Sequence, residues 1–269
     1  MDNAPAAVVV TGSTRGIGLG LAEAFAKRGC RVVVSGRAAK AVDDAVARVG
    51  ERAIGVPCDV SSAAQLEALW ETATEKLGRV DVWINNAGYC NAIRPFEELT
   101  HEQIESVIDA NVRGTMLGSH VALRGFLRQG RGQLFNMEGW GSRGERKAGM
   151  TPYCATKLAL RYFTDELARE HVDSPVRIGT LSPGMVVTDA LVEAYENGGA
   201  DSWHRSRLLF KFVIDPRDVV CSWLADQVLA NRRSGRHIVW MTKTRLFARF
   251  FLPSYWRRNP VAGTRLDTL

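Results

Sequence analysis

Short β-branched runs alternate with longer segments of helical period, and this alternation restricts the possible folds more than any other feature. The predicted strands are AVVVTG (7–12), RVVVSG (31–36), AIGVP (53–57), VDVWIN (80–85), GQLFNM (132–137), VRIGTLS (176–182) and HIVWM (237–241). Helical segments are predicted between them, near 16–28, 39–49, 62–77, 101–128, 152–171 and 216–230. Strands this apolar are buried on both faces, which predicts a parallel sheet covered by helices on each side. A length of 269 residues, 46% hydrophobic and 24% charged, suits one large α/β domain better than two small ones. Thr100 with Gln103 reads as a capping box, and Pro152 after Thr151 as a helix start. Only 189–212 lacks clean periodicity before the last strand.

The segment TGSTRGIG (11–18) follows the first strand and opens the first helix. Glycines at 12, 16 and 18 let backbone N–H groups and the helix N-terminus approach a pyrophosphate with no Cβ in the way. The second strand ends Ser35-Gly36-Arg37, without the acid that holds a ribose 2′-hydroxyl in NAD sites. Arg37 and Arg15 are therefore read as a pair for a 2′-phosphate, favouring NADP(H) over NAD(H). The alternative reading is two solvated arginines.

TGSTRGIG, Asp59-Val60, NNAG (85–88), Asn111, Tyr153-x-x-x-Lys157 and PGMVVT (183–188) occur in the order and spacing found in short-chain dehydrogenases/reductases, which the chain resembles over roughly 7–240. The resemblance implies a single Rossmann-type domain, a doubly wound parallel sheet of about seven strands, assembled as a homodimer or homotetramer. It implies a cofactor held by Gly12, Ser13, Thr14, Arg15, Gly16, Ile17 and Gly18, by Arg37, Asp59 and Val60, and by Asn86, Ala87 and Gly88. Tyr153, Lys157, Pro183, Gly184, Val186 and Thr188 complete that set. Asp59 would meet the adenine amino group, and Thr188 with the Pro183–Gly184 backbone the nicotinamide amide.

The chemistry implied is reduction of a carbonyl to an alcohol, which needs a proton donor beside the forming alkoxide. Tyrosine, with a pKa of about 10, is a poor partner near neutrality unless its phenolate is stabilised. Lys157 lies one helical turn after Tyr153 on the same face, and its ammonium, with the positive oxidised nicotinamide, is expected to lower the Tyr153 pKa. Asn111 is expected to support a water-linked proton relay behind Lys157.

One departure stands out. The family's N-x-S-S segment ends the fifth strand and its second Ser donates to the substrate carbonyl; here NMEGWGS (136–142) puts Gly139 at that place. Ser142, in a glycine-flanked turn, is the expected replacement donor, with Tyr153 acting alone as the alternative. Glu138 bonds substrate, orders the loop through Arg143 or Arg146, or is an ordinary loop acid, and the loop-ordering role is the one expected. FNMEGWGS before Y-x-x-T-K further resembles the chlorophyll b reductases, which reduce a ring formyl group. The substrate expected is such a tetrapyrrole or another large apolar aldehyde or ketone, and the competing reading is a non-catalytic NADP(H)-binding sensor.

Five dispersed cysteines and five dispersed histidines suggest neither a disulfide framework nor a metal. No apolar run reaches the ~18 residues of a membrane span, and the first strand starts too early for a leader, so the cytoplasm is expected. Residues 227–266 carry nine Lys/Arg and no acid, so the net +6 belongs to the C-terminal end. The domain is taken as 1–241, with a substrate lid at 189–212 supplying Leu191, Tyr195, Trp203, Leu208, Leu209 and Phe210, and a basic aromatic tail at 242–269. That tail reads as a basic amphipathic helix for an anionic membrane surface or for subunit packing, not for nucleic acid.

Overall fold

The computed structural model describes residues 5–91, 93–188, 191–192 and 200–267, the side chains of 200–206 and 266 excepted. Its strands, in chain order, are β1 (Ala7–Val10), β2 (Arg31–Gly36), β3 (Ala53–Pro57), β4 (Val82–Asn85), β5 (Gly132–Met137), β6 (Val176–Ser182), β7 (Met185–Val186), β8 (Ile214–Asp215) and β9 (Arg236–Val239). Its helices are α1 (Gly16–Lys27), α2 (Ala39–Val49), α3 (Ala63–Leu77), α4 (His101–Ile108), α5 (Gly114–Gln129), α6 (Thr151–Glu170), α7 (Ala200–Val213), α8 (Arg217–Ala230), α9 (Lys243–Phe250) and α10 (Pro253–Arg257).

Seven strands form one parallel sheet in the order β3-β2-β1-β4-β5-β6-β9. Every residue of β1 is buried, and alternate ones serve opposite layers. Val8 and Val10 pack with Val32, Val34, Phe25 of α1 and Leu224 of α8. Ala7 and Val9 pack with Leu66 and Trp70 of α3 and Phe126 of α5. Each such fully buried aliphatic side chain contributes about 1.5–3 kcal/mol relative to exposure. The strand order reverses direction between β1 and β4, and the cleft at their carboxyl ends is where an open α/β sheet takes its ligand.

Three differences from the sequence reading matter for function. The single helix predicted near 101–128 is two helices joined by a π-turn at Asp109–Arg113, where the Gly114 N–H reaches back to the Asp109 carbonyl. The inserted residue rotates fully buried Asn111 inward, a use of π-turns common at functional sites.

The stretch expected to be irregular contains α7. Phe210 packs on Val192, Ile214 and Val261, whereas Phe212 stacks on Phe250 at 4.4 Å and meets Trp256 edge-on at 4.9 Å. A helix clasped on two sides shows no single apolar stripe, which hid it. Of the expected lid residues, Tyr195 and the side chain of Trp203 lie outside what is described; Leu208 and Leu209 are exposed.

The tail contains two short helices, with one arginine buried and two phenylalanines facing out. Arg249 is only 3% exposed, whereas Phe247 and Phe251 are 66% and 69% exposed. Buried Asp215 is the reason. It accepts from Arg249 Nη2 at 2.7 Å, Arg258 Nη1 at 3.0 Å and Trp240 Nε1 at 2.6 Å. Arg245 donates to the Trp240 carbonyl at 2.6 Å and lies 4.0 Å over its ring. Among the described residues, no helix is long and apolar enough to cross a membrane.

Candidate active site

The glycine turn is built for close approach. Gly12 and Gly16 have φ of 61° and 57°, a region that disfavours side chains. A Cβ on Gly18 would lie 2.3 Å from the Gly12 carbonyl oxygen, and one on Gly12 2.7 Å from Ala87 Cα. The NNAG segment holds this turn: Asn86 Nδ2 donates to the Thr11 and Gly12 carbonyls at 2.9 and 3.0 Å. Thr11 Oγ1, which carries no local signal in the sequence, accepts the Asn86 and Ala87 N–H groups at 3.0 and 3.1 Å. Ser13 is spent on the frame, donating to the Val10 carbonyl at 2.6 Å and accepting the Ser35 N–H at 2.9 Å. Thr14 packs beside Gly36 and Val60 beside Gly114, while Ile17 sits partly in the core.

The N-cap of α1, Arg15, makes no side-chain cap bond and the first turn holds no acid, which leaves the positive end of the helix dipole unanswered by its own turn. Thr188 stands opposite, its Cγ2 3.8 Å from where a Gly16 Cβ would be. It follows buried Pro183 and Val186 and Gly184, whose φ is 69°. Arg15 and Arg37 are exposed. Asp59 is held below its usual range by bonds from the Ser61 N–H and hydroxyl against burial, with the charges of Arg37 and Arg113 adding. An uncapped helix N-terminus that opens on a glycine-bearing turn fits a dinucleotide phosphate, so these residues suit the cofactor that the sequence implies.

At the carboxyl end of β5 the proposed catalytic groups converge. Lys157 is buried, donates to the Met137 carbonyl at 3.2 Å, and lies with Nζ 5.7 Å from the Tyr153 ring centroid. A Cβ on Gly139 would stand 2.3 Å from Tyr153 Oη and 3.2 Å from Lys157 Cε. With glycine at 139, the phenol hydroxyl occupies the space that a side chain there would take. Ser142, also buried, folds back so that its Oγ accepts the Gly139 N–H at 3.0 Å, while its own N–H donates to the Gly139 carbonyl at 3.2 Å. Gly141, with φ of 98°, closes this turn against Cys154. Asn111 accepts from the Tyr89 N–H at 2.8 Å and donates to the Tyr89 carbonyl and Thr156 Oγ1, each at 3.0 Å. Its Oδ1 and Lys157 Nζ both border Gly88.

The expected downward shift of Tyr153 is not what the chain's own groups produce. Burial pushes the phenol above its usual value, with Cys90 and Cys154 adding, and burial lowers Lys157 to about 8. Desolvation favours the neutral form of each group and is the largest cause of both shifts.

Glu138 is buried, with both oxygens engaged by the protein. Arg161 Nη1 lies at 2.8 Å, Arg143 Nη2 at 3.4 Å, and Thr180 Oγ1 donates at 2.8 Å. His237 joins through Thr180 at 2.8 Å and reaches Asp165 at 3.2 Å. Of the two loop arginines considered, Arg143 is the one bonded to it. Arg161 was missed, although 153, 157 and 161 form one stripe of α6 at a spacing of four. Thr180 and His237 come from β6 and β9 and carry no local signal.

The family model described as short chain dehydrogenase matches residues 6–198. An Arabidopsis thaliana chloroplast protein named probable chlorophyll(ide) b reductase NYC1 is 30% identical over 263 residues, covering 90% of this chain and 52% of its own length. The chain thus spans about half the length of that relative. The Arabidopsis chlorophyll(ide) b reductase NOL is 32% identical, over 92% of this chain and 73% of its own. A Brucella melitensis 3-ketoacyl-(acyl-carrier-protein) reductase structure, complexed with NADH, shares the fold at TM-score 0.77 and 24% identity, covering 87% of this chain and 96% of its own. An actinorhodin polyketide ketoreductase structure with NADPH follows at TM-score 0.76 and 25% identity, covering 87% of this chain and 96% of its own. The chain belongs to the short chain dehydrogenase family of nicotinamide-dependent oxidoreductases.

Proposed function

We propose that this protein reduces an aldehyde or ketone on a bulky apolar substrate to the alcohol, using NADPH. The observation that carries the reading is the meeting of Tyr153 Oη, the Lys157 ammonium and the bare backbone of Gly139 beside the glycine turn. The bound nicotinamide supplies the hydride. Tyr153, kept protonated by burial, gives its proton to the developing alkoxide oxygen. Lys157 then faces a phenolate and stabilises it, and Asn111 holds the Tyr89 backbone and Thr156 around that pair. The Ser142 hydroxyl, which accepts the Gly139 N–H, is read as the donor to the carbonyl in place of the family's missing serine.

NADPH is preferred on the strength of exposed Arg15 and Arg37 and the absence of an acid after β2. Arg37→Ala is expected to weaken NADPH about tenfold and leave NADH within about twofold. Exposed Tyr89 and Trp140 flank the catalytic segment, which suits a large flat apolar substrate such as a formyl-bearing tetrapyrrole. NADPH oxidation measured against formyl tetrapyrroles, steroids and quinones tests the reading. Tight NADPH binding without turnover on any of them would support the sensor instead.

The assembly implied by the family pattern is a homodimer or homotetramer, and the compartment read from the sequence is the cytoplasm. The tail, 242–269, is read as a peripheral contact with an anionic membrane, on the strength of its outward aromatic face.

A further inference from the structure

The cleft beside the glycine turn has a wall that nothing in the sequence announces. Gly16, Thr188 and Arg217 line it from the body, and Gly263, Thr264 and Arg265 line it from the C-terminal segment, around about 330 Å³. The segment is brought there by specific anchors. Val261 is buried against Val192, Phe210 and Ile214. Arg258 bonds Asp215 at 3.0 Å and the Ile214 carbonyl at 2.6 Å. Thr264 Oγ1 donates to the Val261 carbonyl at 2.7 Å, and Asp267 accepts the Gly263 N–H at 3.2 Å.

The wall chemistry suits an anion. Among the described residues it contains two arginines and no carboxylate. Arg217 pairs with Glu23 at 3.0 Å and Asp218 at 2.9 Å. The uncapped N-terminus of α1, at Gly16, contributes N–H groups and a partial positive charge to the same space. We propose that Val261–Arg265 is a strap across the phosphate end of the dinucleotide cleft, and that Arg265 adds a guanidinium to the pyrophosphate contacts. The proposal rests on the nicotinamide-dependent reading above and concerns binding alone.

Titration of NADPH and NADH by nicotinamide fluorescence tests it, with wild type, Arg265→Ala and a chain ending at Pro260. Arg265→Ala is expected to raise Kd about tenfold for both nucleotides, because both carry the pyrophosphate. The loss shrinks as salt is raised, Arg265→Lys recovers part of it, and the melting temperature stays near that of wild type. The shortened chain loses at least as much affinity; if it does not fold, Arg265→Ala decides. Kd values for Arg265→Ala within about twofold of wild type for both nucleotides would overturn the strap. Loss confined to NADPH would overturn it too, since that pattern belongs to a 2′-phosphate contact. A wild-type chain that binds neither nucleotide would sink the reductase reading and the strap with it.

Discussion

Burial acts on the two central side chains in opposite senses, raising Tyr153 and bringing Lys157 down to about 8. For reduction both protons are wanted: the phenol must give one and the ammonium must balance the phenolate left behind. Lys157 is charged below its folded value, so reductive kcat/KM is expected to be flat below about pH 8 and to fall above it, the opposite of the oxidative direction. A pH–rate profile checks this; a reductive rate that rises through that range contradicts the assignment. The same shift has a stability consequence. Because the folded value lies below the ordinary 10.5, the folded chain binds fewer protons between the two, and stability rises with pH across that window. Lys157→Met is therefore expected to stabilise the nucleotide-free protein near neutrality by on the order of 2–3 kcal/mol, the gain fading toward the ordinary lysine value. Urea denaturation at neutral and alkaline pH reads it directly. Tyr153→Phe removes the proton without disturbing the turn, so turnover should vanish while NADPH affinity changes less than about threefold. Ser142→Ala should cost about one to three orders of magnitude in kcat if its hydroxyl serves the carbonyl. A change below about threefold returns that duty to Tyr153 and the backbone.

Between elements, Glu138 is the joint. From the end of β5 it ties the 139–145 turn through Arg143, α6 through Arg161 and β6 through Thr180. Removing a buried carboxylate strands its partners, which costs about 3–5 kcal/mol in fully buried pairs. Both arginines are partly solvated here, so Glu138→Ala should cost about 2–4 kcal/mol by urea midpoint. A loss below about 1 kcal/mol would mean that the turn is held by Ser142 and Glu145 without Glu138. This joint also marks where sequence reading runs out. The sheet was legible because β1 and β2 are apolar at nearly every position, which only double coverage explains. Tyr153 and Lys157 were legible because helical spacing puts them on one face. The π-turn at Asn111 was not, since one inserted residue barely disturbs a helical pattern. The contact between Gly139 and Tyr153 Oη was not, because it joins a strand end to a helix across a loop. Two-residue strands such as β7 and β8 have too little length for any period to show.

Over the whole molecule, the basic end of the sequence proves to be a different kind of surface from what its charge suggests. Arg245, Arg249 and Arg258 turn inward to Trp240, Asp215 and the carbonyls of Phe212 and Ile214. Phe247, Phe251, Leu252 and Trp256 are left facing out beside exposed Leu208 and Leu209. Lys243, Arg257 and Arg207 are exposed on the same elements, and no acid lies between 227 and 266. Apolar side chains beside a few cations suit the boundary between anionic headgroups and acyl chains. Cutting the chain at Met241 is a poor test, because it would also strip Asp215 of two arginines and Phe212 of its stacking partners. Replacing Phe247, Phe251 and Leu252 together by Ser removes mainly outward surface and leaves the Phe212 stack in place. Each side chain so placed contributes about 1.5–3 kcal/mol when taken from water, so partition onto phosphatidylserine vesicles should fall more than tenfold. Binding by the wild type should weaken at high salt and on neutral phosphatidylcholine, because the cations would then lose their partners. Should the wild type ignore both vesicles while the triple variant dissociates from dimer to monomer in sedimentation, the face belongs to a second copy of the chain and the membrane reading is wrong.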